Sequence, residues 1–95
     1  MRVSVFGAGY VGLVTATCLA SVGHSVICVD VDRRRIAELS RGEPGFYEPN
    51  LRDLMSMCLD DGSLCFSSSP EHAVRNSLVH IVAVARRRSP MAQLT

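Results

Sequence analysis

Three glycines set between an apolar strand and an apolar helix constrain this chain more than any other feature in it. Arg2 to Phe6 is a short run rich in β-branched residues, and it leads directly into Gly7-Ala8-Gly9-Tyr10-Val11-Gly12. Tyr10 to Val22 then suits a helix, with Val11, Val14, Cys18 and Val22 recurring at helical spacing and Gly23 placed as its C-cap. A second apolar run, Ser25 to Asp30, ends on an acid 18 positions after Gly12. A glycine triplet alone is a weak signal, but here both flanks and the acid are in place. Gly7 allows a tight turn, Gly9 lets a ligand approach the backbone, and Gly12 lets the helix pack close to the strand. The helix N-terminus then offers unpaired N–H groups and the positive end of a dipole to an anion.

That pattern describes a loop for the pyrophosphate of a dinucleotide, with Asp30 placed to accept both hydroxyls of the adenosine ribose. A carboxylate there repels a 2′-phosphate, so the residues favour NAD over NADP. Arg33 to Arg35 could instead recruit such a phosphate, although a solvated helix face is the simpler reading of Arg33 and Arg34. A glycine turn in an unrelated α/β domain, with Asp30 as a surface cap, is the plain alternative.

The remaining chain extends the same architecture. Asp32 can cap a helix to about Ser40 with Ile36 and Leu39 facing inward, and Gly42 follows its end. Residues 42–50 are a turn-rich connection, and Pro49 belongs in the first turn of a third helix reaching about Leu59. Asp60-Asp61-Gly62 reads as a turn, Leu64 to Ser67 as a short strand, Pro70 to Val74 as a brief helix, and Leu78 to Val84 as a last buried strand. The expected fold class is α/β: a truncated Rossmann-type open parallel sheet of about four strands with flanking helices.

With 47% hydrophobic and 20% charged residues, the chain has the make-up of a globular domain, not a disordered one. A net charge of +1 gives no reason to expect nucleic acid or an anionic membrane as partner. The apolar N-terminus is broken by glycines and lacks the form of a signal peptide, and no run approaches the ~20 residues of a membrane span. The cytoplasm is the expected location. Cys18, Cys28, Cys58 and Cys65 form no CxxC pair and have no histidine partners at ligand spacing, so reduced thiols are expected, three or four of them core filler, and no metal.

Three segments, VSVFGAGYVGLVTATCLA, VICVDVDRRRI and above all GEPGFYEPNL, resemble the N-terminal NAD-binding domain of the UDP-glucose/GDP-mannose dehydrogenase family. The similarity covers residues 1–84, and the last segment looks like the UDP-glucose branch. The resemblance implies that Gly7, Gly9 and Gly12 hold the pyrophosphate, with Tyr10 and Val11 contributing backbone N–H groups. It implies that Asp30 takes the adenosine ribose hydroxyls and that Arg35 reaches the same sugar. Glu48 is either a carboxylate at a helix N-terminus or a ligand contact. Members of the family oxidise the sugar C6 alcohol to a carboxylate with two NAD, through a cysteine and partner residues in later segments. No catalytic residue is therefore assigned in this chain, a UDP-sugar is a partner only of a full-length member, and the 95 residues alone are expected to be inactive.

Residues 85–95 depart from the pattern. Where the family continues with Val-Gly-Thr-Pro and a short acidic loop, this chain reads Val84-Ala-Arg-Arg-Arg-Ser-Pro-Met-Ala-Gln-Leu-Thr95. Synonymous codons exist for which one G added after codon 84 yields Val-Gly-Thr-Pro-Ala-Glu-Pro-Asp-Gly-Ser-Ala-Asp, the family's loop in register. The expected organisation is thus 1–84 as the N-terminal part of the NAD-binding domain and 85–95 as an out-of-frame tail, with Arg86 to Arg88 no nucleic-acid patch. Strand 78–84 becomes an apolar edge, and self-association through it is expected. A stand-alone, non-catalytic dinucleotide-binding module is the competing function. A 3-hydroxyacyl or 6-phosphogluconate type of dehydrogenase fits GEPGFYEPNL poorly.

Overall fold

A computed structural model describes residues 1–45 and 48–83. The elements follow in the order β1 (Arg2–Phe6), α1 (Tyr10–Ser21), β2 (Ser25–Val29), α2 (Arg33–Ser40), α3 (Pro49–Asp60), β3 (Leu64–Ser67), α4 (Pro70–Arg75) and β4 (Val79–Val82). The four strands form one parallel sheet in the order β3-β2-β1-β4. The chain first steps outward from β1 to β2 and β3, then returns across the sheet to place β4 on the other side of β1. Open α/β sheets take their ligands at the C-terminal ends of the strands where the order reverses in this way.

Strand alternation divides the core. Val3 and Val5, Val26 and Cys28, and Leu64 face one side, packed with Leu13 and Ala16 of α1, Leu39 of α2 and Met55 of α3. Ile27, Val29 and Phe6 face the other side, where Ala73 of α4 meets them. Ser4 also points to that second side, fully buried, and its hydroxyl lies 2.7 Å from His80 Nδ1 and 2.9 Å from Ser77 Oγ. Ser77 Oγ donates to the Ala73 carbonyl at 2.5 Å. A buried hydroxyl on β1 is thereby satisfied by β4 and by the turn before it, which fixes the Ser4–His80 register.

Helix ends follow local chemistry. Asp32 Oδ1 accepts from the N–H groups of Arg34 and Arg35, both at 3.1 Å, and starts α2. Gly23 and Gly42 take positive φ of 109° and 83° just beyond α1 and α2, where a side chain is strained. Asp32→Ala is expected to cost about 1 kcal/mol, the usual worth of an N-cap, read as a lower urea midpoint with an unchanged slope.

Three expectations need correction. The buried stripe of α1 is Gly12, Leu13, Ala16, Thr17 and Ala20, while Val11 and Val22 are 64% and 73% exposed and Cys18 is exposed too. The helix is apolar nearly all round, so spacing could not select its inner face; the approach of Gly12 to Gly7 selects it. Only Cys28 and Cys58 are core residues, whereas Cys18 and Cys65 are exposed. Finally, β4 stands at the sheet edge as expected, but it is not buried: Val79, His80 and Val82 are exposed, and Leu78 before it is 81% exposed. Phe46, Tyr47 and the segment 84–95, with its expected change of frame, lie outside the described residues.

Candidate functional site: the glycine loop and Asp30

The loop after β1 is built from backbone contacts that glycine alone permits. Gly7 has a φ of 112° and donates its N–H to the Val29 carbonyl at 2.7 Å, tying the loop to β2. A Cβ on Gly12 would stand 1.8 Å from the Gly7 carbonyl oxygen, so the first turn of α1 lies directly on the loop. A Cβ on Gly9 would meet nothing within 4 Å. Gly9, the N-cap of α1, is thus glycine for a reason the protein atoms do not supply, which leaves room for a ligand against its backbone. Tyr10 and Val11 follow in the first turn, 59% and 64% exposed.

Asp30, one residue past β2, reaches over this loop. Its Oδ2 accepts the Ala8 N–H at 2.9 Å and its Oδ1 the Asp32 N–H at 3.0 Å. A carboxylate offers about four lone-pair sites, so two remain for hydroxyl donors. Arg35, in the first turn of α2, donates from Nε to the Ala8 carbonyl at 3.1 Å. The structure therefore brings Gly7, Gly9, Gly12, Asp30 and Arg35 together at one end of the sheet. Glu48 is the N-cap residue of α3, and its side chain makes no capping bond.

Beside the carboxylate, Phe6, Gly7, Val29, Asp30, Val31 and Pro70 line a largely apolar cleft of about 250 Å³. Phe6, Val31 and Pro70 carried no signal of this in the sequence, because β1, the β2–α2 turn and α4 meet there only after the sheet has formed. A larger depression between Gly23–Ser25 and Asp61–Ser63 opens at the opposite end, away from these groups. Among the described residues no three His, Cys, Asp or Glu side chains converge on a metal position.

Cys28 lies under the loop, its Sγ 3.9 Å from the Gly7 carbonyl oxygen. Burial, reinforced by the negative charge of Asp30 and opposed by Arg35, pushes its thiol up to about 12. It is packing, not a nucleophile. An unfolded thiol ionises near 9.0, so this raised value adds stability that is complete below pH 9.0 and is lost as the pH climbs towards 12. Denaturation monitored across that range is expected to show the loss in the parent chain, with a shallower decline in Cys28→Ala. Iodoacetamide under native conditions is expected to label Cys18 first and Cys65 more slowly, because partial burial of its otherwise exposed thiol raises it, with Cys28 and Cys58 reacting only on unfolding.

A parallel sheet in the order β3-β2-β1-β4, a glycine loop pressed against the first helix, and a carboxylate over that loop define a Rossmann-type dinucleotide-binding domain. The chain belongs to the UDP-glucose/GDP-mannose dehydrogenase family: the profile of that family's NAD binding domain matches residues 1–91. NAD is the cofactor of this domain, and the open backbone at Gly9 and the free lone pairs of Asp30 suit it.

Relatives agree with this placement. A UDP-glucose 6-dehydrogenase of Pseudomonas aeruginosa is 46% identical over 84 residues, 88% of this chain and 18% of its own length. A GDP-mannose 6-dehydrogenase of Pseudomonas putida is 39% identical over 84 residues, 88% of this chain and 19% of its own. Among solved structures, a GDP-mannose dehydrogenase ternary complex from Pseudomonas aeruginosa superposes with a TM-score of 0.90 at 36% identity, covering 96% of this chain and 21% of the other. A UDP-glucose dehydrogenase from Pyrobaculum islandicum does so with a TM-score of 0.87 at 37% identity, covering 94% and 21%. The chain thus spans about a fifth of the length of these relatives. No helix among the described residues is long and apolar enough to cross a membrane.

Proposed function

We propose that this chain is the adenosine-binding part of the NAD domain of a dehydrogenase that oxidises UDP-glucose to UDP-glucuronate. The observation that carries the cofactor half of this reading is Asp30, held by two backbone N–H groups with lone pairs to spare beside a loop that has space at Gly9. Gly7, Gly9 and Gly12 shape the pyrophosphate site, the N–H groups of Tyr10 and Val11 face it, Asp30 takes the ribose hydroxyls, and Arg35 stands beside them. The negative charge of Asp30 selects NAD over NADP, and the exposed Arg33 and Arg34 remain a solvated helix face. The UDP-glucose preference rests on GEPGFYEPNL and on relatives such as the Pseudomonas aeruginosa enzyme.

Isothermal titration with NAD, NADP and ADP tests the cofactor assignment: NAD and ADP are expected to bind and NADP to bind far more weakly. Equal affinity for NADP overturns the assignment of Asp30. The 95 residues alone are expected to show no turnover of UDP-glucose with NAD. Any NADH formed by them places catalytic groups where none are assigned.

Two further proposals concern the end of the chain. Residues 85–95 are the product of one lost base, and 1–84 is the family sequence. This rests on the codon argument alone, since the family profile reaches residue 91. Resequencing codons 83–96 decides it: a restored G supports the proposal, an unchanged reading refutes it. The open edge of β4, with Leu78 and Val82 exposed, supports self-association of the isolated chain. Light scattering coupled to gel filtration is expected to find oligomers, and a monodisperse monomer that melts cooperatively contradicts the idea.

A further inference from the structure

We infer that β4 pairs antiparallel with β4 of a second copy of this chain, about a two-fold axis at His80, and that acid separates the pair. This rests on the reading above that the open edge of β4 mediates self-association. The ladder fixes which backbone groups that edge presents. Gly7 donates its N–H to the Val29 carbonyl, and Ala83 donates its N–H to the Phe6 carbonyl. Backbone groups alternate in direction along a strand, so odd-numbered residues of β1 turn to β2 and even-numbered ones to β4. On β4, Val79 and Ile81 accordingly turn to β1, while the backbone of His80 and Val82 faces the open edge. Unpaired groups of that kind recruit another strand.

Symmetry limits the register. A two-fold axis perpendicular to the sheet keeps each side chain on its own face, so only residues of equal parity lie opposite one another. The axis at His80 sets His80 opposite its own copy and Leu78 opposite Val82 of the second copy. Leu78 and Val82 are 81% and 76% exposed, and this pairing covers both in each copy. Axes at Ile81 or Val82 leave Leu78 beyond the end of the opposing β4.

The two His80 rings then stand on one face, on backbones about 5.5 Å apart. Hydrogen-bond direction holds each ring there. A hydroxyl has one proton, and Ser77 gives its own to the closest acceptor, the Ala73 carbonyl at 2.5 Å. Ser77 Oγ is then the acceptor for Ser4 Oγ at 2.9 Å, and Ser4 Oγ the acceptor for His80 Nδ1 at 2.7 Å. His80 therefore carries one proton on Nδ1 and takes up its second on Nε2, leaving this chain of bonds intact. The new charge arises on a ring still held at the axis.

Its surroundings do not offset that charge. His80 meets Ser4, Ser77 and the Phe6 ring, whose centroid lies 6.0 Å away. Arg2 shares this face of β1 by alternation, and α4 carries Glu71, His72 and Arg75, with Glu71 taken by Arg75 at 2.6 Å. Like charges directly opposite one another across a strand pair repel.

Sedimentation equilibrium of the 95-residue chain, His80→Asn and His80→Arg at about pH 8 and about pH 5 tests this, across the interval in which histidine changes charge. The parent is expected to be a dimer whose dissociation constant rises at least about tenfold at the lower pH. His80→Asn keeps an N–H donor for Ser4 without a titrating charge, and is expected to dimerise equally at both. His80→Gln is the second neutral variant, should asparagine fail to support the fold. His80→Arg is expected to be weakened at both. A monomeric parent at the higher pH overturns the inference together with the self-association reading. Oligomers that ignore pH, or that His80→Arg leaves intact, overturn the inference alone. Assemblies larger than a dimer do so too, because two-fold pairing closes. A pH response retained in His80→Asn assigns it to other groups and likewise overturns the role of His80.

Discussion

Gly12→Ala is expected to lower the unfolding free energy by about 3 kcal/mol or more, although alanine is the better helix former by about 1 kcal/mol. The added methyl would stand 1.8 Å from the Gly7 carbonyl oxygen and 2.8 Å from its carbon. Both are backbone atoms, and Gly7 is tied to Val29 by a 2.7 Å hydrogen bond, so neither can step aside cheaply. Relief requires α1 to lift from the sheet, which uncovers Leu13 and Ala16, both fully buried. Gly9→Ala is the matched control. Its methyl meets no protein atom, and Gly9 has a φ of −76°, which alanine adopts freely. That variant is expected to stay within about 1 kcal/mol of the parent, the scale of an N-cap exchange, while NAD affinity falls at least about tenfold. Urea denaturation and calorimetry on both variants check the pair. Equal stability for the two, or undiminished NAD affinity in Gly9→Ala, contradicts the division of roles between these glycines.

Asp30→Ala is expected to weaken NAD binding by about tenfold or more, since hydrogen bonds to a charged group are worth about 1.5–3 kcal/mol. On the proposed assignment Asp30 takes the sugar hydroxyls, so adenosine and ADP are expected to lose affinity together. Removing the carboxylate also removes the repulsion of a 2′-phosphate, with Arg33 and Arg34 nearby, so the ratio of NADP to NAD affinity is expected to rise. Some stability is lost as well, because the Ala8 and Asp32 N–H groups lose their acceptor. Titration of all four ligands reads every part of this. Unchanged NAD affinity places the ribose elsewhere.

Much of this architecture was legible in the residue order because its signals are local. β-branched runs mark the strands, Asp32 and Pro49 mark helix starts, and Gly23 and Gly42 mark helix ends, each through the backbone conformation of a few neighbouring residues. The glycine loop was legible for the same reason. Two strands flanking one helix leave few ways to connect them, and an acid at the tip of β2 must arrive near the end of β1 when the strands are parallel neighbours. The family followed from short segments whose residue types match at successive positions.

Other features depend on which surfaces meet. The inner face of α1 was not legible in the residue order, because Val11, Cys18 and Val22 are as apolar as the residues that are buried. Only the contact of Gly12 with Gly7 sets the rotation of the helix. The exposure of Cys18 and Cys65, the exposed side chains of β4 and the cleft beside Asp30 likewise depend on how the elements meet in the fold. Arg35 shows the same divide within one residue. In the sequence it is the third of three arginines, and the family resemblance, not local chemistry, separates it from the other two. The folded chain sets it apart by placing the Ala8 carbonyl on one side of its guanidinium and the bare Cα of Gly45 on the other. The sequence alone determined the elements and their chemistry, since these depend on neighbours along the chain. The tertiary structure decided which face is buried and which of several equivalent side chains does the holding, because those choices depend on residues that meet only through folding.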